Sequence, residues 1–307
     1  MLNKIVLAGG TGYLGHVLCN YYKDKANEII VLSRDQHPSH TNIHFEVWNG
    51  RTEDSWVKHL EDCDLLINLC GKNVNCRYTK ENRKKIFRSR LEPTALLGKV
   101  IADLKNPPKV WINLASATIY RHAEDHAQDE ESGDMGSGFS VEVCKAWEKA
   151  FFEADIPHTK RIALRTGMVM GGRDGVIPRL KNLVCIGMGG QQGNGLQYIS
   201  WIHEQDFARI TEWVYGNGKD REVYNCTSPN AIQNKDFMKV FRKTIGIPFG
   251  LPTPQWLLEI GAFLIGTETE LVLKSRWVYP QYLLDRGFQF QFAKPEHAIH
   301  DILSCSV

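Results

Sequence analysis

Gly9, Gly12 and Gly15 recur at three-residue spacing between a continuous apolar run, Lys4-Ile-Val-Leu-Ala8, and a segment of helical character from about Tyr13 to Lys25. Such a run reads as a parallel strand buried on both faces. Glycines at the turn after it permit a tight reversal, close approach of backbone to a ligand, and packing of the following helix on the strand. Amides at the start of that helix form an anion site. The arrangement predicts a βαβ unit that holds a dinucleotide pyrophosphate over Gly9, Thr11, Gly12, Tyr13, Leu14 and Gly15, and it constrains the rest of the chain to an α/β architecture.

The remaining pattern agrees. Glu28–Ser33, Ile43–Trp48, Cys63–Cys70, Val110–Ala115 and Arg161–Arg165 read as further strands, with helices over Thr79–Leu104, despite Pro93, and over Val141–Ala154. Alternating strands and helices mean a doubly wound parallel sheet of Rossmann type. After about Met168 the pattern changes. Gly171–Gly195 is glycine-rich with a helix at Val176–Val184, Ile199–Ile202 and Glu222–Cys226 are short strands, and helices are expected at Asn234–Ile245, Pro254–Gly266 and Glu268–Ser275. The expected organisation is a nucleotide-binding domain over 1–170, with 198–228 returning to it, and a smaller α/β cap built from 171–197 and 229–307, with the ligand cleft between them.

Composition excludes several classes. Of 307 residues, 43% are hydrophobic and 23% charged, so the chain is neither disordered nor fibrous. The formal net charge is +2, which gives no electrostatic pull toward nucleic acid or an anionic membrane. Cysteines at 19, 63, 70, 76, 144, 185, 226 and 305 form no CxxC and no zinc spacing, and read as reduced thiols in a cytoplasmic setting. The start, Met1–Gly10, is too short before its glycines for a signal peptide, and Leu257–Gly266 is too short to span a bilayer. No metal is expected, and neither nucleic acid nor membrane is an expected partner; a homodimer is the candidate assembly.

The second strand ends in Ser33-Arg34. An NAD site usually places an acid there for the ribose 2′-hydroxyl. A hydroxyl and a guanidinium suit a 2′-phosphate instead, so NADP(H) is expected, with NAD(H) as second choice because Asp35 follows.

These residues resemble a known group. Gly9–Gly15, Asn68–Gly71 and Ser116-Ala-Thr-Ile-Tyr120 are similar to the fingerprint, the loop after strand 4 and the serine turn after strand 5 of extended short-chain dehydrogenases/reductases. Narrower marks are Arg77 with Ser89-Arg90, Cys144 with Trp147-Glu148, Leu164–Val169, Gly195–His203, Asn225–Pro229 and Pro280–Phe288. Together they resemble the atypical "epimerase family protein" branch, whose members are often labelled NAD-dependent epimerase/dehydratase or putative cell-division inhibitor. The resemblance spans essentially the whole chain and implies a Rossmann domain, NADP(H) and no settled substrate. It further implies cofactor contacts at Leu69, Cys70 and Gly71, at Arg90 with Lys85 on the same helix face, and through the backbone at Val169, beside the nicotinamide.

The chain departs from the parent superfamily in its chemistry. There a Tyr-xxx-Lys pair moves the substrate proton while a serine orients the carbonyl. Counting on from Ser116, the corresponding positions hold Phe139 and Val143. Tyr21 with Lys25 and Tyr215 with Lys219 match the spacing but fall on the first helix and in a loop. The candidate catalytic residues are therefore Ser116, Tyr120 and His203, with Gln197 and Trp201 as candidate substrate contacts. Each has a structural alternative: Ser116 closing a strand end, Tyr120 packed under its loop, His203 buried and hydrogen-bonded, Trp201 in the core. Two functions follow: an oxidoreductase or epimerase-like enzyme acting on a small polar molecule, or an NADP(H)-binding sensor without turnover.

Overall fold

The computed structural model describes residues 1–172 and 175–304. The first half alternates strand and helix: β1 (Leu2–Ala8), α1 (Tyr13–Tyr22), β2 (Ala26–Ser33), β3 (Ile43–Val47), β4 (Leu65–Asn68), α2 (Lys80–Asp103), β5 (Val110–Ser116), α3 (Phe139–Phe152) and β6 (Lys160–Thr166). The chain continues through β7 (Met168–Met170), α4 (Val176–Cys185), β8 (Tyr198–Ile199), β9 (Trp201–His203), α5 (Glu204–Asn217), β10 (Glu222–Cys226) and β11 (Ile232–Gln233). Five helices complete it: α6 (Asn234–Thr244), α7 (Gln255–Ile265), α8 (Glu270–Leu273), α9 (Gln281–Asp285) and α10 (Pro295–Ser304).

Seven strands form one parallel sheet in the order β10-β6-β5-β4-β1-β2-β3. Period-2 alternation sorts the side chains of β1. Ile5 and Leu7 join a core with Leu18 and Tyr22 of α1 and Phe207 and Ile210 of α5. Val6 and Ala8 join the opposite core, with Leu97 and Ile101 of α2 and Phe151 of α3. Helices thus cover both faces, and β1 and β4, adjacent in the sheet, send their following helices to opposite sides. That divergence opens a crevice at the carboxyl ends of the strands, where doubly wound folds bind ligands.

A third core joins α4, α6, α10 and Trp201 of β9, around Phe237, Phe241 and Ile299. The single strand expected over Ile199–Ile202 is two. β8 pairs antiparallel with β11, and β9 pairs with β7. The break falls at Ser200, whose buried hydroxyl donates to Arg276 O and accepts from Val278 N, diverting the chain between two sheets. The helix expected over Glu268–Ser275 is only the single turn α8, because Ser275 and Arg276 turn away to bond Ala123 O and Thr118. The seven described cysteines are unpaired, and Cys305 lies outside the described residues. No described helix is long and apolar enough to cross a membrane.

Candidate functional site: a cleft at the strand ends

The loop after β1 is shaped by close contact. Gly9 has φ +73°, a region costly for a side chain, and a Cβ there would sit 2.8 Å from Cys70 Sγ. At Gly15 a Cβ would fall 1.9 Å from Gly10 O, so α1 rests directly on the turn. Gly12 differs: nothing lies within 4 Å of its Cβ position. It caps α1 with no side-chain hydrogen bond, at a helix start, where backbone amides point outward. An open glycine face at an uncapped helix start fits a pyrophosphate.

A cleft of ≈ 480 Å³ runs from this loop across the sheet's carboxyl edge. Tyr13 and Leu14 form one end, Leu69, Cys70, Gly71 and Arg90 the middle, and Ser116, Val169, Phe139 and Val143 the other end. Arg90 extends over Trp147, 5.2 Å from its ring, and donates to Lys72 O and Ile86 O, both at 3.2 Å. Arg34 is exposed at the end of β2 and has no ion-pair partner among the described residues. Ser33 is buried, its Oγ accepting from Asp35 N. Ser116 accepts from Thr118 N at 3.2 Å and faces the cleft. Burial pushes the Cys70 thiol up to about 12 and that of Cys144 up to about 11, so neither is a thiolate nucleophile.

Eleven expected contacts are absent from the cleft lining: Gly9, Thr11, Gly12, Gly15, Ser33 and Arg34 toward the phosphate loop, and Tyr120, His203, Gln197, Trp201 and Lys85 elsewhere. Tyr120 is buried, donates to Asn225 Oδ1 at 3.0 Å and accepts from Arg165 at 2.8 Å. Its single proton is committed, and burial raises its pKa. His203 caps α5: Nδ1 accepts from Gln205 N, which places the ring proton on Nε2, 3.3 Å from Asp301 Oδ2. The ring stacks on Phe292 at 3.8 Å, and burial lowers its pKa. Gln197 is buried and donates to Gln192 O; Trp201 is buried and donates to Asn230 O. Lys85 is exposed and pairs with Glu81 one helical turn away, on the solvent face of α2.

Other groups take their places. The Tyr78 hydroxyl lies 3.5 Å from Ser140 Oγ, which donates to Glu270 Oε2 at 3.0 Å, and the Tyr78 ring meets Phe139 edge-on at 4.8 Å. Tyr78, Ser140 and Thr118 all line the cleft. Tyr78 escapes sequence reasoning because the loop before α2 has no periodicity and no glycine signature; its position next to Arg77 was the one signal.

A parallel sheet, a glycine turn at its switch point and a cleft along the strand ends define a dinucleotide-binding α/β protein of the Rossmann class. The model of the NAD-dependent epimerase/dehydratase family matches residues 5–227, and the chain belongs to that family. A domain of unknown function matches residues 253–302. The chain is similar to the epimerase family protein SDR39U1 of Mus musculus, 26% identical over 98% of this chain and all of that one. It is as similar to YfhF of Bacillus subtilis, 26% identical with 98% of each covered. Among solved structures, human SDR39U1 with NADPH superposes with a TM-score of 0.86 at 26% identity, covering 98% of this chain and 99% of that one. The family and these relatives place the chain with the atypical extended short-chain dehydrogenases/reductases.

Proposed function

We propose that the chain binds NADP(H) in this cleft and transforms a small polar molecule beside the nicotinamide, as an oxidoreductase or epimerase-like enzyme. The observation that carries the reading is one cleft lined by Tyr13 and Leu14 at the start of α1, by Cys70, Gly71 and Arg90, and by Ser116, with Gly12 open next to Tyr13 and Arg34 exposed just past β2 and without an ion-pair partner among the described residues. The NADPH held by human SDR39U1 supports the cofactor. The first turn of α1 takes the pyrophosphate, Arg34 the 2′-phosphate, Arg90 and the 69–71 loop the middle of the cofactor, and the backbone at Val169 the carboxamide. When bound, the nicotinamide supplies or accepts a hydride. Ser116 orients the substrate oxygen. Residues 1–170 with 198–228 form the cofactor unit, and 171–197 with 229–307 the cap. The seven described cysteines, none of them in a disulfide, fit a reducing, cytoplasm-like compartment.

Phe139 and Val143, one turn apart on α3 and facing the cleft, occupy the positions of the parent superfamily's tyrosine and lysine and cannot move a proton. The hydroxyl best placed to do so is Tyr78, with Ser140 and Glu270 behind it. In a screen of carbonyl compounds followed by NADPH fluorescence, a turned-over compound should lose about 100-fold in rate with Tyr78→Phe while NADPH affinity stays within about twofold. The same α3 positions favour the second reading, a sensor that binds without turnover, which a screen with binding but no oxidation of NADPH would select.

Cofactor choice is testable by titration. NADPH should bind at least tenfold more tightly than NADH, and Arg34→Asp should erase most of that gap, since one charge-assisted contact accounts for about 1.4 kcal/mol or more. Equal wild-type affinities for the two would sink the assignment of Arg34.

A further inference from the structure

Helix α7 has one charge, Glu259, among eleven mostly apolar residues. None of its described large side chains joins the hydrophobic cores. Trp256, Ile260 and Phe263, at i, i+4 and i+7, form a stripe to solvent, with Trp256 62% and Phe263 70% exposed. Phe249 and Leu251, just before the helix, are exposed as well, and so is Ile186, next to the Leu251 N to Gly187 O hydrogen bond. At about 100 Å² apiece these six present on the order of 600 Å² of apolar surface, at the upper end for a monomer and the usual mark of a contact site.

The charge on the neighbouring elements is mostly basic, with Glu259 on α7 and Asp236 at the start of α6 as the acidic exceptions. Residues 175–203 and 237–258 contain no Asp or Glu, but carry Arg179, Lys181, Lys239, Arg242 and Lys243. These five bases lie on α4 and α6, and Arg242 ties the end of α6 to Gly189 O, beside the Gly187–Leu251 pairing. Among the described residues none of the five pairs with a carboxylate. The whole-chain balance of +2 conceals this cluster. A second copy docked symmetrically would set five bases against five bases, which disfavours self-association. Protruding aromatic and aliphatic side chains, a lone tryptophan near the start of the stripe and an unpaired basic rim match a surface that rests on anionic lipid headgroups.

We propose that the cap docks on an anionic membrane surface through Trp256, Ile260, Phe263, Phe249, Leu251 and Ile186, with the five bases on the headgroups. No described helix is long and apolar enough to span a bilayer, so the contact is peripheral. The contact lies near the cleft, since Arg77, the neighbour in sequence of the cleft-lining Tyr78, donates to Thr267 O and lies over the Phe263 ring at 5.8 Å.

The test is flotation of the full chain with vesicles of phosphatidylcholine alone or with roughly one third phosphatidylglycerol. The protein should float with the anionic vesicles at least tenfold more strongly. The binding should weaken at about 0.5 M salt, where the Debye length is under ~5 Å. W256S with F263S, and separately K239E with K243E, should each remove most of it without changing NADPH affinity or the circular dichroism spectrum. Absence of flotation with anionic vesicles at low salt overturns the proposal. So does equal flotation of both surface variants and wild type, or a wild-type dimer in light scattering that W256S makes monomeric, which would assign the face to self-association.

Discussion

Gly15→Ala should abolish tight cofactor binding and destabilise the fold together. A single methyl at that position would stand 1.9 Å from Gly10 O, a backbone atom that no rotamer change can move aside. Either α1 lifts from the turn by more than an ångström or the glycine loop reshapes. Lifting α1 opens the core of Leu18 and Tyr22 against Ile5 and Leu7. Overpacking of this kind costs about 3 kcal/mol, at the upper end of its usual range. The loop amides then lose their common direction, so the NADPH dissociation constant should rise by a factor of roughly 100 or more. Thermal unfolding with and without NADPH checks both halves: wild type should gain stability from the cofactor and G15A should not. Gly12→Ala is the control, since its Cβ position is open and only ligand contact should suffer.

The second large effect concerns a buried charge. Arg165 forms two 2.8 Å hydrogen bonds to Glu148 and a third to the Tyr120 hydroxyl, with both charged side chains almost wholly enclosed. Arg165→Met leaves the Glu148 carboxylate without its partner in a low-dielectric site, at a cost of about 3–5 kcal/mol. The midpoint of thermal unfolding should fall by roughly 10 °C. Joining it to Glu148→Leu should restore much of the loss, because two apolar groups need no partner. If the double variant is no more stable than R165M, the pair is not what holds this region. The result would also separate architecture from chemistry: Tyr120, anchored by the same arginine, should affect stability far more than turnover.

A milder effect follows from Glu130. Its Oε1 accepts from Asn225 N, its buried Oε2 has no hydrogen-bond partner among the described residues, and burial pushes its pKa up to about 7. The folded protein thus holds a proton that the unfolded chain releases near the ordinary carboxylate value. Stability from this group is present at low pH and is lost as pH rises from about 4.5 to about 7, then stays level. Glu130→Gln should flatten that part of the stability profile; an unchanged slope would discount the group.

How much of this was legible beforehand varies with the physics. The β1–loop–α1 unit was readable because a two-face buried strand leaves no polar position and the turn admits only glycine. The inner strands β2, β4 and β5 were readable for the first reason, whereas β3 at the edge, IHFEV, is half-buried and alternates apolar with polar residues. The cap was not, because Ser200 replaces ladder hydrogen bonds with its own hydroxyl and splits one apolar run into β8 and β9. Within the site, Tyr13 and Leu14, the 69–71 loop, Arg90, Ser116 and Val169 are brought to one cleft, since all follow strand ends or face it from α2, while Gly9, Gly12 and Gly15 themselves stay outside its lining. The distinctive Gln197, Trp201 and His203 instead hold the cap and the start of α5 together. A motif of rare side chains records constraint, and buried hydrogen bonding constrains as tightly as catalysis does.

β10 fills the outer position of the sheet, beside β6, yet the chain reaches it only after α4, β8, β9 and α5. During synthesis the edge of β6 therefore waits, with Ile162 and Leu164 lacking their final neighbour, until about sixty further residues have left the ribosome. A fragment ending at residue 170 would carry the whole phosphate loop and still present an open strand edge, prone to pairing with another copy. An exchange between relatives cut at residue 170 would therefore separate β6 from its sheet neighbour β10.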